Sequence, residues 1–185
     1  MVAIAQKLTR SVPQSVLTCL TVVCGSLYLA LMSQIALKLP LLPVHMSLQT
    51  FAVFTLAGTL GSRKAFASVA LYLAEGTCGL PVFAGGVASP MWFFMPKGGF
   101  LVGFALAAFA VGKLLEIRKP WTVPHIAFSV VCGQLIIYAC GMTWLSFFVG
   151  VDMAFLVGVY PFLSGAFVKL IAATSYLKGL SWFHR

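Results

Sequence analysis

Acidic side chains are almost missing from this chain: Glu75, Glu116 and Asp152 are the whole set, against 12 Lys and Arg. Charge of either sign is scarce, at 8% of 185 residues. A soluble domain covers its surface with about 25% charged residues, so this one could not keep its apolar area from water. No membrane segment carries paired carboxylates, which argues against a proton- or sodium-coupled carrier with its own relay. The five cysteines (Cys19, Cys24, Cys78, Cys132, Cys140) form no CxxC and have no His at metal-ligand spacing, so neither a disulfide framework nor a metal site is expected. Gly112-Lys113 lacks the leading Gly and the following Ser/Thr of a phosphate-binding loop, and no nucleophile–base arrangement stands out. ATP hydrolysis, catalytic residues and a resident cofactor are therefore not expected. The net charge of +9 comes with no basic face and no aromatic RNA-binding motif, which argues against nucleic acid. No small-residue cleavage site closes the first apolar run before Pro40, so a cleaved leader is not expected either.

What remains is apolar. Hydrophobic residues make up 61% of the chain and the mean hydropathy is +1.04. Membrane crossing takes roughly 17–25 largely apolar residues per helix. The pattern predicts an all-α integral membrane protein, one membrane domain over 1–185, with six spans near 16–37, 47–60, 65–75, 99–115, 124–142 and 152–177. The second and third are short. They work only if the neighbouring Pro- and Gly-rich stretches at 38–50 and 76–98 dip into the membrane under cover of protein, because lipid cannot satisfy exposed backbone groups.

With six spans both termini fall on one side, together with Lys7, Arg10, Arg63, Lys64, Lys113, Arg118, Lys119, Lys178 and Arg185. The other side holds Lys38 and Lys97. The positive-inside rule then puts both termini in the cytoplasm and the loops 38–47, 76–98 and 143–151 outside. Lys169 falls inside the last span, where a lysine costs roughly 2.5–3.5 kcal/mol at mid-membrane. Either it snorkels to an interface, or it is a cation lining an interior cavity. Its helical neighbours Phe162, Gly165, Ala166, Ala172, Ala173 and Tyr176 are mostly small and leave space for a ligand.

The segment 72–103 reads YLAEGTCGLPVFAGGVASPMWFFMPKGGFLVG. Its glycines permit sharp turns or close approach to a ligand, and Pro81, Pro90 and Pro96 block helix. Met91-Trp92-Phe93-Phe94 reads either as an interfacial aromatic belt or as a lid over an apolar ligand. Gly98-Gly99 entering a helix would aim free backbone N–H groups at a ligand. In the first outer loop, LPLLPVHMSLQT, Ser47 reads as a cap for the second span, with Gln49 and Thr50 as polar groups at a helix mouth. His45 reads as loop and His125 as the start of span five. Ser26 and Ala30, four apart, suit a close helix–helix contact.

At these same segments the chain resembles the BioY family, the substrate-capture (S) subunits of energy-coupling-factor vitamin transporters. The matching stretches are Ser33-Gln34-Ile35 with Leu39-Pro40, and Pro43 through Thr50. Gly61 with Arg63, Tyr72-Leu73, Gly76 and Gly79 through Gly86 follow, then Pro96 through Leu101 with Gly103-Phe104, and Tyr160 through Leu163 with Gly165 and Lys169. The resemblance implies an S-component fold with an outward-facing biotin pocket, covered by the first outer loop and the loop between spans three and four. It implies substrate contacts from Gln49, Thr50, Phe83, Ala84, Gly85, Gly86, Lys97, Gly98, Gly99, Phe162 and Lys169. It also implies a cell-membrane location and, as partners, a transmembrane coupling subunit docked on the Ser26/Ala30 face and two ATPases, the only users of ATP.

Two motifs depart from the family pattern, at three positions. The last span usually carries Gly-Asp-x-x-Lys, whereas here it reads Gly165-Ala166-Phe167-Val168-Lys169. The loop pattern Pro-Thr-Gly-Gly-Tyr becomes Pro96-Lys97-Gly98-Gly99-Phe100. Lys169 or Lys97 could take the biotin carboxylate, with Gln49 and backbone groups at the ureido end. The expected function is capture of biotin for import, with recognition rewired. An S component for another small vitamin or a biotin precursor is the alternative, and a self-sufficient secondary carrier or a membrane structural protein are readings of other classes.

Overall fold

The computed structural model describes residues 13–37, 46–86 and 88–183. Lys7, Arg10, Lys38, Pro40, Pro43, His45 and Arg185 lie outside the described residues. Helix α1 (Gln14–Gln34) starts directly after Pro13, whose fixed φ and missing N–H suit a helix entry. Two short strands follow, β1 (Ala36–Leu37) and β2 (Met46–Ser47), paired antiparallel so that Ala36 faces Ser47. The Leu48 N–H donates to the Ile35 carbonyl at 3.1 Å, closing the base of the first loop. Helix α2 (Gln49–Leu60) has Leu48 at its N-cap, one residue after the expected Ser47. Ser47 still reaches the helix mouth, its Oγ accepting from the Gln49 N–H at 3.4 Å.

Gly61, at φ +79°, turns the chain straight into helix α3 (Ser62–Thr77). This left-handed backbone favours glycine. The start of α3 is capped from another helix: the Glu116 carboxylate accepts the Ser62 N–H at 2.7 Å and its hydroxyl at 2.9 Å. A carboxylate at a helix N-terminus also meets the positive end of the helix dipole. Helix α4 (Gly98–Ile117) runs through the middle of the bundle, and α5 (Val123–Val149) packs beside it. Glycines allow the close approach. A Cβ on Gly103 would lie 3.0 Å from the Ile137 Cα, and Gly133 and Gly141 sit against the side chains of Val111 and Phe100.

Two expectations need correction here. The stretch read as the third outer loop is helical to Val149, broken at Gly150 (φ +82°), because 144–149 continue the apolar run. The last span is not one helix but α6 (Val151–Gly158), a 3-10 turn at Tyr160–Phe162, and α7 (Leu163–Phe183). The two arms meet at 49°. Pro161 has no N–H to offer the preceding turn. Helices α3 and α5 also run past the stretches read as 65–75 and 124–142.

Helices α1, α4 and α5 are each long and apolar enough to cross a membrane, and α6 with α7 makes a fourth if the bent pair counts as one span. α2 is apolar but only 12 residues long. The outer surface carries bare apolar side chains, among them Leu31, Phe147, Phe167 and Val168, which suits lipid and not water. The inner faces hold hydroxyl groups as well as aliphatic ones. Ser26 is fully buried and donates to Glu75, and the Tyr28 hydroxyl pairs with Thr55 at 3.2 Å.

The α3–α4 crossing is tight enough to test. A Cβ on Gly112 would stand 2.6 Å from both N and Cα of Ser62, and backbone cannot rotate away. Gly112→Val should cost about 1–3 kcal/mol by overpacking, which at roughly 2–4 °C per kcal/mol for this size lowers the melting temperature in detergent measurably. An unchanged melting curve, followed by tryptophan fluorescence, would show that the two helices separate freely.

Candidate functional site

A cavity of about 730 Å³, counted out to its open mouth, lies at the end of the bundle away from the 61–64 and 117–121 turns. Its walls follow from helical spacing. Phe100, Leu101 and Phe104 come from the first turns of α4, and Gln134, Ile137 and Tyr138 from α5. Phe162, Ala166 and Lys169 come from α7 and the turn before it. Gln49 and Thr50 come from the mouth of α2, and Phe83, Ala84 and Lys97 from the segment between α3 and α4.

That segment is irregular backbone, and it is held by one hydrogen-bonded chain. The Ser47 hydroxyl donates to Gln49 Oε1 at 2.8 Å, and Gln49 Nε2 donates to the Tyr72 hydroxyl at 2.6 Å. Tyr72, fully buried, donates in turn to the Val82 carbonyl at 3.1 Å, which also accepts from Ser33. Gln34 Nε2 reaches the Val82 and Phe83 carbonyls at 3.4 Å. Beside this chain runs a ladder of aromatic edges: Tyr72 on Phe83, Phe83 on Trp92, Trp92 on Phe93 and Phe93 on Trp144. The indoles of Trp92 and Trp144 donate to Thr77 and to the Met95 carbonyl. Phe83 is thereby fixed in the cavity wall at 1% exposure.

The charge in the cavity has one sign. Lys97 and Lys169 both line it, while none of the chain's three acidic side chains does. Among the described residues the one ion pair is Lys113 with Glu116, on the far turn. The Lys97 ammonium stands 5.8 Å from the centroid of Phe83, and partial burial lowers its pKa from the ordinary lysine value. Two hydroxyl groups in the lining, Thr50 Oγ1 and the Tyr138 OH, are buried with no hydrogen-bond partner among the described residues. An unpaired buried hydroxyl costs about 1–3 kcal/mol, so the wall is built to meet polar atoms as well as apolar ones.

Of the eleven residues expected to touch a ligand, Gln49, Thr50, Phe83, Ala84, Lys97, Phe162 and Lys169 line the cavity. Gly85, Gly86, Gly98 and Gly99 do not. Gly85 and Gly86, at φ +84° and +69°, turn the segment back, and the Gly86 N–H donates to the Phe83 carbonyl. The Gly98 N–H is donated to the Met95 carbonyl, and those of Phe100 and Leu101 to that of Lys97. The N–H groups of Gly98, Phe100 and Leu101 are therefore used within the lead-in, while that of Gly99 has no backbone partner among the described residues. Gly98 and Gly99 serve packing: a Cβ on Gly98 would meet the Phe93 carbonyl, and one on Gly99 the Trp144 side chain.

Of the expected docking pair, Ser26 is buried against α3, and Ala30 is half-buried against the core with the rest of its surface outward. Met91 and Phe94 point outward while Trp92 packs inward on Phe83, so the MWFF run divides between an outer belt and a brace. Phe100, Leu101, Phe104, Ile137 and Gly158 look like ordinary core residues in the sequence. Gln134 and Tyr138 did leave a signal, two polar groups four apart in an otherwise apolar helix.

Three comparisons bear on what this cavity is for. A family model described as the BioY family matches residues 6–184. The chain belongs to the BioY family. It is 39% identical over 138 residues to the biotin transporter BioY of Thermotoga maritima, covering 74% of this chain and 80% of that one. It is 34% identical over 154 residues to the biotin transporter BioY2 of Lactococcus lactis subsp. cremoris, covering 82% and 83%. The crystal structure of the S-component for biotin from an ECF-type ABC transporter superposes with a TM-score of 0.80 over 90% of this chain and 92% of that one, at 24% identity. That likeness establishes the fold, which is an S-component fold.

Because Tyr72 joins α2 to the segment over the cavity, removing its hydroxyl strands the Gln49 Nε2 donor and takes one of several donors from the Val82 carbonyl. Tyr72→Phe should destabilise the fold by about 1–3 kcal/mol and speed amide exchange at 80–86 more than in α4 or α5. Equal protection in the variant, measured by hydrogen exchange, would mean that Ser33 and Gln34 hold the segment alone.

Proposed function

We propose that this chain is the substrate-capture subunit of a biotin uptake system, a transport protein and not an enzyme. The reading is carried by a cavity with two ammonium groups, no carboxylate and two unpaired hydroxyls, in a chain of the BioY family. Biotin has a neutral ureido ring, a thioether ring, an alkyl chain and a carboxylate. The aromatic wall of Phe83, Phe100, Phe104 and Phe162 suits the rings and chain, and the hydroxyls suit the ureido N–H groups. A lysine suits the carboxylate.

The chain crosses the cell membrane six times as one membrane domain, with α1 to α5 as five spans and bent α6–α7 as the sixth. Its termini are cytoplasmic and the cavity opens outward. Support comes from Arg63, Lys64, Lys113, Arg118, Lys119 and Lys178, which all lie at the turns or helix ends away from the cavity, as the positive-inside rule requires. A transmembrane coupling subunit and two ATPases supply the energy. The solved relative's description as part of an ECF-type ABC transporter supports this. One observation favours a second reading: Ala166 lines the cavity where the family pattern has an acid, so a related acid such as a biotin precursor is the alternative ligand. A cationic vitamin is disfavoured by both lysines.

The test is equilibrium binding of labelled biotin to the purified protein in detergent, with desthiobiotin and thiamine as competitors. Saturable binding displaced by desthiobiotin and not by thiamine is expected. Lys169→Ala should weaken it tenfold or more, since a hydrogen bond from a charged donor contributes about 1.5–3 kcal/mol and about 1.4 kcal/mol is tenfold. No binding by folded protein would rule out biotin, and unchanged affinity in the variant would remove Lys169 from the site.

A further inference from the structure

We propose that Lys97 is the residue that selects the ligand's free carboxylate, so that the protein takes the free acid and discriminates against esters and amides of the same molecule. This rests on the reading of the cavity as a biotin site. Its support is where the structure puts that lysine. Lys97 is the N-cap of α4, at the open end of the bundle, and its ammonium lies over the Phe83 ring at the cavity rim. Lys169 is six residues into α7, about 9 Å from the start of that helix at 1.5 Å per residue, on the same wall as Ala166.

The two cations therefore enter the cavity from different elements, Lys97 from the lead-in to α4 and Lys169 from α7. All three acidic side chains of the chain lie elsewhere: Glu75 is bonded to Ser26, Glu116 caps α3, and Asp152 begins α6. The countercharge for Lys97 must come from what the cavity holds. A flexible alkyl chain ending in a carboxylate reaches the rim while its ring system fills the aromatic interior between Phe104 and Phe162. The rim is also where an anion keeps part of its hydration, so holding it there avoids most of the cost of burying a charge. Lys169 likewise has no carboxylate beside it in the lining, so the cavity disfavours cations.

The experiment compares biotin with biotin methyl ester and biotinamide in the wild-type chain, Lys97→Thr and Lys97→Arg, each purified whole in detergent. Wild type should prefer the acid by about tenfold or more, as expected for loss of one charge-assisted hydrogen bond. Lys97→Thr should lose most of that preference by binding biotin more weakly while binding the ester as before, which also reports that it is folded. Lys97→Arg should restore the preference. Equal binding of acid and ester by wild type, or a preference that survives Lys97→Thr, overturns the assignment and leaves the biotin reading standing. Failure of wild type to bind biotin in any form overturns that reading, and this proposal with it.

Discussion

The carbonyl of Val82 holds the site together. It belongs to irregular backbone above a cavity, in a chain whose surroundings offer few hydrogen-bond donors, and Tyr72 and Ser33 both donate to it. Those donors come from α3 and α1, and the Tyr72 hydroxyl is itself reached from Gln49 at the start of α2. Three helices thus meet at one oxygen. The arrangement satisfies the demand that non-helical backbone at membrane depth be covered by protein, and it places the Phe83 ring in the cavity wall. Without it the segment would be left with its aromatic contacts, the Gln34 bonds to the Pro81 and Phe83 carbonyls, and the Trp92 bond to Thr77.

The opposite end of the bundle solves a similar problem by a different route. There the α2–α3 turn is too tight to leave room for a side-chain cap from the turn itself, and the Glu116 carboxylate reaches in from α4. Gly112 brings the two backbones close enough for that reach. One of three acids in the chain is committed to this contact, and a second, Glu75, to Ser26. The strongly positive character of the cavity is partly a result of where the acids have been spent.

Much of this was legible in the sequence, and what was not follows a pattern. Long apolar runs gave α1, α4 and α5, because a span has to be apolar over its length whatever it packs against. Lys169 stood out since a mid-span lysine needs a reason. The break in the last span was written in Pro161, but the surrounding residues are apolar on both sides, so hydropathy passes over it. Glycine was the least readable residue. In Gly85-Gly86 it sets positive φ, and in Gly98-Gly99 it makes room for Phe93 and Trp144, yet composition alone equally suggested a backbone open to ligand. Ser26 shows the same ambiguity: a small polar residue on a span suits a partner inside the chain as well as one outside it. The difference lies in which way the helix is rotated, and only packing fixes that.

The length of α2 has a consequence for where the cavity sits. Its 12 residues span about 18 Å at 1.5 Å per residue, against a hydrocarbon core of about 30 Å. Gln49 and Thr50, at its first turn, therefore stand about 18 Å along the helix from the turn at Gly61, while α1 and α4, of 21 and 20 residues, run about 30 Å. A short helix among long ones leaves a hollow at one end of the bundle, and the cavity lies over the first turn of α2.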